Sequence, residues 1–217
     1  MTSDIEIQED VLDELRLDPS IDASRVGVAV KDGIVTFTGW VSSYAEKAIA
    51  EDIAKHVYGV RGLADDLEVK LPAANVRTDP EIASAAANAL KWNSAVPDER
   101  ITVTVEKGWV ALEGTVDWNY QRSAADHAIH QLTGVKGVKN LIKVTPKVVP
   151  SDVREQIESC FKRNAELDAR RIGVKTHEGK VRLHGNVRTW AEKEEAQRAV
   201  WSVPGVREVE NDLLVMP

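Results

Sequence analysis

Three stretches of the chain alternate apolar and polar residues between two glycines: GIVTFTG at 33–39, GWVALEG at 108–114 and GKVRLHG at 179–185. Alternation with period two predicts a strand with one buried face. A second alternating run precedes each stretch: Val26, Val28 and Val30; Ile101, Val103 and Val105; Ile172, Val174 and Thr176. Between the two runs stands Asp32-Gly33, Lys107-Gly108 or Glu178-Gly179. These dipeptides predict tight hairpin turns in which glycine supplies a positive φ. The inward residues of the second strand are Val35 and Phe37, Val110 and Leu112, Val181 and Leu183. The far glycines, Gly39, Gly114 and Gly185, are expected to allow a bulge or a sharp exit. A phosphate-holding glycine loop would join a strand directly to a helix, so these glycines are structural.

Helical periodicity flanks each hairpin. Ahead of it, apolar residues recur four apart at Ile7, Val11 and Leu15, at Ile82, Ala86 and Leu90, and at Val153, Ile157 and Phe161, one face of an amphipathic helix. Ser3 with Glu6, Asp79 followed by Pro80, and Ser151 with Asp152 are the expected caps. After the hairpin, Ser43 with Glu46 and Thr189 with Glu192 have capping-box spacing. Ala50, Ile53, Ala54 and Val57 line one face of the helix that follows. Gly59, Gly134 and Gly205 are placed at left-handed C-caps of these second helices. A last strand holds Leu67 and Val69, Ile142 and Val144, Leu213 and Val215.

The first hairpin glycines are 75 and 71 residues apart, and GVRG at 59, GVKG at 134 and GVRE at 205 each follow them by 26 residues. The chain is therefore three copies of one unit. The expected class is α+β: three tandem α-β-β-α-β units, each with two helices on one face of a three-stranded sheet, and a right-handed crossover through the second helix. Prolines and small residues near Leu71 to Val76 and Lys147 to Pro150 mark linkers, giving domains 1–72, 76–147 and 148–217.

This ordered unit resembles the BON domain, named for bacterial osmotically inducible and nodulation proteins. The likeness rests on the hairpin strand, the following helix, and the endings GVRGLADDLEV, GVKGVKNLIKV and GVREVENDLLV. It implies an α+β sandwich with a binding role and no catalytic residues. Periplasmic members of the family are associated with osmotic stress and the envelope, and some bind phospholipid. A cytosolic member joined to a peptidoglycan-type domain binds potassium. This chain has three units rather than one or two, and it is expected to have neither the extra domain of the latter nor the signal sequence or lipid-attachment cysteine of the former.

Composition narrows the classes further. With 43% hydrophobic and 29% charged residues in 217, the chain has globular composition. Its single cysteine, Cys160, leaves no partner for an intramolecular disulfide. The acidic start MTSDIEIQEDV lacks an apolar signal region, and no apolar run approaches the roughly 18 residues of a membrane span. A cytoplasmic location is expected. The net charge of −7 is uneven: residues 1–72 carry 7 basic and 15 acidic side chains, residues 73–147 carry 9 and 8, and residues 148–217 carry 12 and 12. No unit has the basic excess that nucleic acid binding needs. Lys136, Lys139, Lys143 and Lys147 form a local basic cluster, read as lysine protection of an edge strand.

Candidate chemistry is sparse. His127 and His130 lie three apart beside Asp126, a spacing that presents two ligands on one helix face, but no further ligand with metal-site spacing completes them. His177 and His184 fall at the ends of the third hairpin and are expected outward. Cys160 aligns with Glu14 and Ala89, a peripheral position. No nucleophile elbow, Walker loop or dinucleotide fingerprint occurs. The chain is expected to be no enzyme and to need no cofactor or metal.

Six tryptophans are the anomaly, several at positions that are not hydrophobic in the sister units. Trp109 aligns with Ile34 and Lys180, Trp190 with Tyr44 and Asn119, and Trp201 with Lys55 and His130. Such rings either pack between repeats or mark a surface for protein or lipid headgroups. Trp190, Trp201 and Trp109, with Arg188 and Arg198, are the expected contacts for a phospholipid surface or an envelope partner. A potassium-responsive protein, suggested by the acidic first unit, and a protein–protein scaffold are the alternatives. Arg25, Arg100 and Arg171 share one position before the first strand, which predicts a shared structural pairing.

Overall fold

The computed structural model of the chain describes residues 3–147, 150, 152–164 and 167–216. In the first unit, α1 (Asp4–Leu17) leads into the hairpin β1 (Val26–Lys31) and β2 (Ile34–Val41), then α2 (Tyr44–His56), β3 (Gly62–Asp65) and β4 (Glu68–Val69). The second unit has α3 (Asp79–Trp92), β5 (Ile101–Glu106), β6 (Trp109–Val116), α4 (Asn119–His130) and β7 (Gly137–Val144). The third has α5 (Val153–Arg163), β8 (Ile172–His177), β9 (Lys180–Val187), α6 (Trp190–Trp201) and β10 (Glu208–Val215). Each unit is thus mixed α+β, with its own sheet and its own apolar core.

Sheet order is β1-β2-β3, β5-β6-β7 and β8-β9-β10. The hairpin strands pair antiparallel, and the last strand pairs parallel to the middle one. That parallel pairing is why a helix must intervene, since the chain has to return to the starting edge. In the first unit the last strand is interrupted between β3 and β4, yet Leu67 in the gap is buried. The helix residues read four apart are the buried ones, from Ile7 through Phe161.

The hairpin turns have positive φ at both residues, 54° and 74° at Asp32 and Gly33, with the same pattern at Lys107-Gly108 and Glu178-Gly179. This is the type I′ geometry whose twist matches the strands. In two units the preceding helix holds the turn. The Asp4 carboxylate accepts from the amides of Asp32 (2.8 Å) and Gly33 (2.9 Å), and Asp79 accepts from Lys107 (2.7 Å) and Gly108 (2.9 Å). Asp79 is therefore not the cap of α3; Thr78 is, in a capping box with Glu81. Ser151, the expected cap of α5, lies outside the described residues, and Asp152 takes the N-cap position.

Two expectations for glycines are corrected. The helices α2, α4 and α6 end at His56, His130 and Trp201, so Gly59, Gly134 and Gly205 do not cap them directly. They sit in the turn beyond, with φ of 95°, 95° and 90°, where a type II turn needs a positive φ. A Cβ on Gly33, Gly108 or Gly179 would meet the carbonyl of Gly59, Gly134 or Gly205, so the two glycine landmarks of each unit touch. That contact accounts for their fixed spacing. Gly39, Gly114 and Gly185 make no bulge; the antiparallel register runs unbroken to Val26↔Gly39, Ile101↔Gly114 and Ile172↔Gly185.

Capping glutamates are also diverted. Ser43 and Thr189 cap α2 and α6 through the amides of Glu46 and Glu192. The Glu46 carboxylate, buried, instead accepts from the Ser42 amide (2.7 Å) and the Asp22 amide (3.0 Å), tying the first loop to α2. Glu192 does the same with Arg188 (2.7 Å) and Asp168 (3.3 Å). A buried carboxylate satisfied by backbone N–H groups costs little compared with an unpaired one.

Candidate binding surfaces

The second helices of the three units meet. α2 touches both α4 and α6, and α4 meets α6 through the Arg122 guanidinium, 4.7 Å over the Trp201 ring. Equivalent positions do the work at each junction. Tyr44 of α2 packs on the second core and stands edge-on to His130, with ring centroids 4.9 Å apart. Burial pushes the Tyr44 hydroxyl pKa up, and the Val138 backbone hydrogen-bonds to it. Trp190 of α6, at the position of Tyr44, packs on both its own core and the first one. Lys55 bridges to Glu194 across the same junction at 3.4 Å. Trp201, at the position of His130, reaches the second core. Aromatic rings that are unusual for a helix surface are therefore the contacts between units.

The third junction is less filled. At the position of Tyr44 and Trp190, α4 carries Asn119. Beside it opens a cleft of about 780 Å3, lined chiefly by Trp118, Tyr120, His127, Arg198 and Trp201. Beside this cleft, Asn119 Oδ1 and Trp201 Nε1 are buried without a hydrogen-bond partner among the described residues. Arg198 reaches Glu195 at 2.9 Å and is otherwise mostly exposed.

A different surface lies on the outer face of the second sheet. Trp109 is 58% exposed, and its ring lies across Gly137 of the neighbouring strand, where a Cβ would collide with it. Parallel register sets Trp109 opposite Gly137, Ala111 opposite Lys139, Glu113 opposite Leu141 and Thr115 opposite Lys143. Alternation puts all of these on one face. Leu141 is 42% exposed. Lys139 and Lys143 are exposed and make no ion pair among the described residues. The same face of the third sheet is neutralised: Lys180 pairs with Glu208 at 2.7 Å, and Arg182 pairs with Asp212 and Glu210.

The remaining candidates fall as follows. Arg188 is exposed, and its amide binds Glu192. Arg25 pairs with Asp22 at 2.8 Å and covers Trp40 at 4.4 Å; Arg100 pairs with Asp117 at 3.1 Å. Asp22 and Asp117 are not equivalent positions of the unit, and Arg171 has no such partner among the described residues, so the expected shared pairing is not formed. His130 binds Asp126 at 3.0 Å. Burial pushes the Asp126 carboxyl up, but His130, Asn140 and His127 together hold it below its ordinary value. Cys160 is half-buried at the edge of the third core. A groove of about 450 Å3 between α1 and α2 is lined by Asp10, Asp13, Glu14 and Asp52. Among the described residues no three His, Cys, Asp or Glu side chains are grouped to hold a metal ion, and no helix is long and apolar enough to cross a membrane.

The sequence alone singles out Trp109 and places Lys139 and Lys143 in a basic cluster of an edge strand, but does not join them. The missing step was the register of β6 against β7, which the even spacing of the exposed residues alone does not provide. Asn119 was visible as the odd member of an aromatic position.

Comparison with protein-family models agrees with this triplication. The BON domain family model matches residues 3–70, 78–146 and 151–217. Osmotically-inducible protein Y of Escherichia coli (strain K12) is 32% identical over 132 residues, 57% of this chain and 64% of that protein's own length. Among solved structures, the C-terminal domain of CdsD, a structural protein of the type III secretion system of Chlamydia trachomatis, covers 99% of this chain and all of its own at 14% identity and a TM-score of 0.28. A second structure of CdsD from the same organism covers 96% of this chain and 91% of its own, with 17% identity and a TM-score of 0.27. Because the family model recurs once on each of the three sheets and takes in nearly all of the sequence, the chain belongs to the BON domain family.

Proposed function

We propose that this chain is a non-catalytic binding protein of the osmotic-stress response that associates with phospholipid surfaces through the outer face of its second sheet. The observation that carries the reading is the joining of Trp109 and Leu141 with Lys139 and Lys143 on one exposed face. An indole at the headgroup level, an aliphatic side chain and two free ammonium groups match an anionic interface. Each lysine near such a surface contributes about 1 kcal/mol. The osmotic context comes from the relative named as osmotically inducible. Of the five contact residues read from the sequence, Trp109 leads this surface. Trp190 and Trp201 put much of their rings between units, and Arg188 and Arg198 lie on the third unit.

Flotation with phosphatidylcholine vesicles and with vesicles containing phosphatidylglycerol tests this. Co-flotation is expected with the anionic vesicles at low salt and is expected to fall at high salt, because the attraction is screened. Exchanging both lysines for alanine, K139A with K143A, is expected to weaken the apparent affinity about tenfold or more. Equal flotation by the doubly substituted protein, or no flotation of the parent chain, removes this face from the account.

A further inference from the structure

We propose that the cleft between α4 and α6 is a binding site for a small aromatic anion, a ring of indole size bearing a carboxylate. The three junctions of the second helices differ at one position. At two of them a ring from the position of Tyr44 is seated against the neighbouring unit: Tyr44 itself on the second core, and Trp190 on the first. At the third, Asn119 stands in that position, and the space is a cleft of about 780 Å3. This is within the range of small-molecule sites, about 300–1,000 Å3. Its walls include the aromatic side chains Trp118, Tyr120 and Trp201, which favour stacked or edge-on aromatic partners.

The polar groups set the rest of the ligand. Beside the cleft, Asn119 Oδ1 and Trp201 Nε1 are buried with no hydrogen-bond partner among the described residues, an arrangement that costs free energy and that a turn of the Asn119 amide toward a ligand donor would relieve. Among the described residues that line the cleft, Arg198 is the one charged side chain, His127 lies close by, and none is a carboxylate. The groove between α1 and α2, lined by four acids, has the opposite character. Arg198 pairs with Glu195 through Nη1 at 2.9 Å and its side chain is 76% exposed, so its other guanidinium N–H groups face solvent and can meet a ligand carboxylate. A ring therefore supplies what Asn119 lacks, and the acid arm meets Arg198.

The test uses 5-fluoroindole-3-propionate with the full chain, followed by fluorine line broadening. Saturable broadening is expected. R198A is expected to weaken it about fivefold or more, and 5-fluoro-3-methylindole, which lacks the acid, is expected to bind correspondingly less well. N119W, which gives α4 the ring that α6 has, is expected to block binding while circular dichroism stays unchanged. R198A, at an exposed position, keeps the proposal testable if N119W does not fold. No broadening at millimolar probe overturns the proposal, and so does unchanged binding by R198A.

Discussion

Gly114→Ala is expected to destabilise the second unit by about 3 kcal/mol, a cost in the range of strained backbone positions and steric overlap. Gly114 has φ of 146°, and a Cβ placed there would overlap the Arg100 carbonyl as well as Ile101. Neither atom is the end of a flexible side chain, so relief requires the hairpin to open where β5 begins. The unit has little stability to lose, because a domain of this size buries a modest core. Gly62→Ala is the control. Gly62 is an ordinary strand residue whose added Cβ would meet only the Ile34 side chain at 3.3 Å, and its cost is expected to stay within about 1 kcal/mol. Hydrogen exchange of the amides of residues 101–144, with urea unfolding of the whole chain, checks both. Wild-type protection in the Gly114 variant contradicts the account.

Glu51→Gln is expected to stabilise the chain above neutral pH and to leave it unchanged near pH 4. One position pair differs in each unit: Glu51 with Asp65, Asp126 with Asn140, and Gln197 with Asn211. The third unit joins its two amides directly, Asn211 Nδ2 to Gln197 Oε1 at 3.0 Å. The first unit puts two carboxyl groups in the same place. Burial, then the hydrogen bond that protonated Glu51 donates to Asp65 and the charge of Asp65, pushes the Glu51 pKa up to about 7 despite Lys55 and Lys47 nearby. Asp65 is itself held by Lys47 at 3.0 Å. The folded pKa lies above the ordinary 4.5, so the folded state binds this proton more tightly. The stability this group contributes is full below about pH 4.5 and is lost as pH rises through about 7. Glutamine keeps the hydrogen bond and has no proton to lose. The gain at pH 8 is about 2 kcal/mol, less than full linkage gives because solvent reaches part of the site. Thermal melts of both proteins from pH 4 to 8 measure it. A difference that does not vary with pH contradicts the assignment.

The repeat made most of the fold legible. Alternation located the hairpin strands, and four-residue spacing located Ile7, Val11 and Leu15 with their counterparts as core. Local signals misplace residues that have a tertiary partner. Asp79 has the composition of a cap but is taken by the hairpin turn 28 residues on, and Glu46 leaves its own cap for the loop at Asp22. Gly59 sits beyond its helix because it must touch Gly33. The binding surfaces were less legible for the same reason. Trp201 looks like an exposed ring on its own helix, and only the meeting of α4 and α6 places it over the second core. The face shared by Trp109, Lys139, Leu141 and Lys143 requires the register between two strands joined by a whole helix.

The contact of that face with a bilayer is tested most directly by an environment-sensitive NBD label. The label goes on Leu141→Cys and, separately, on Asp212→Cys, its counterpart in the third unit. Both are made with Cys160→Ala, the residue the second unit has at that place. With phosphatidylglycerol vesicles, emission from position 141 is expected to rise and shift to the blue, while position 212 stays as in water. A shift at 212 and none at 141 would contradict the account.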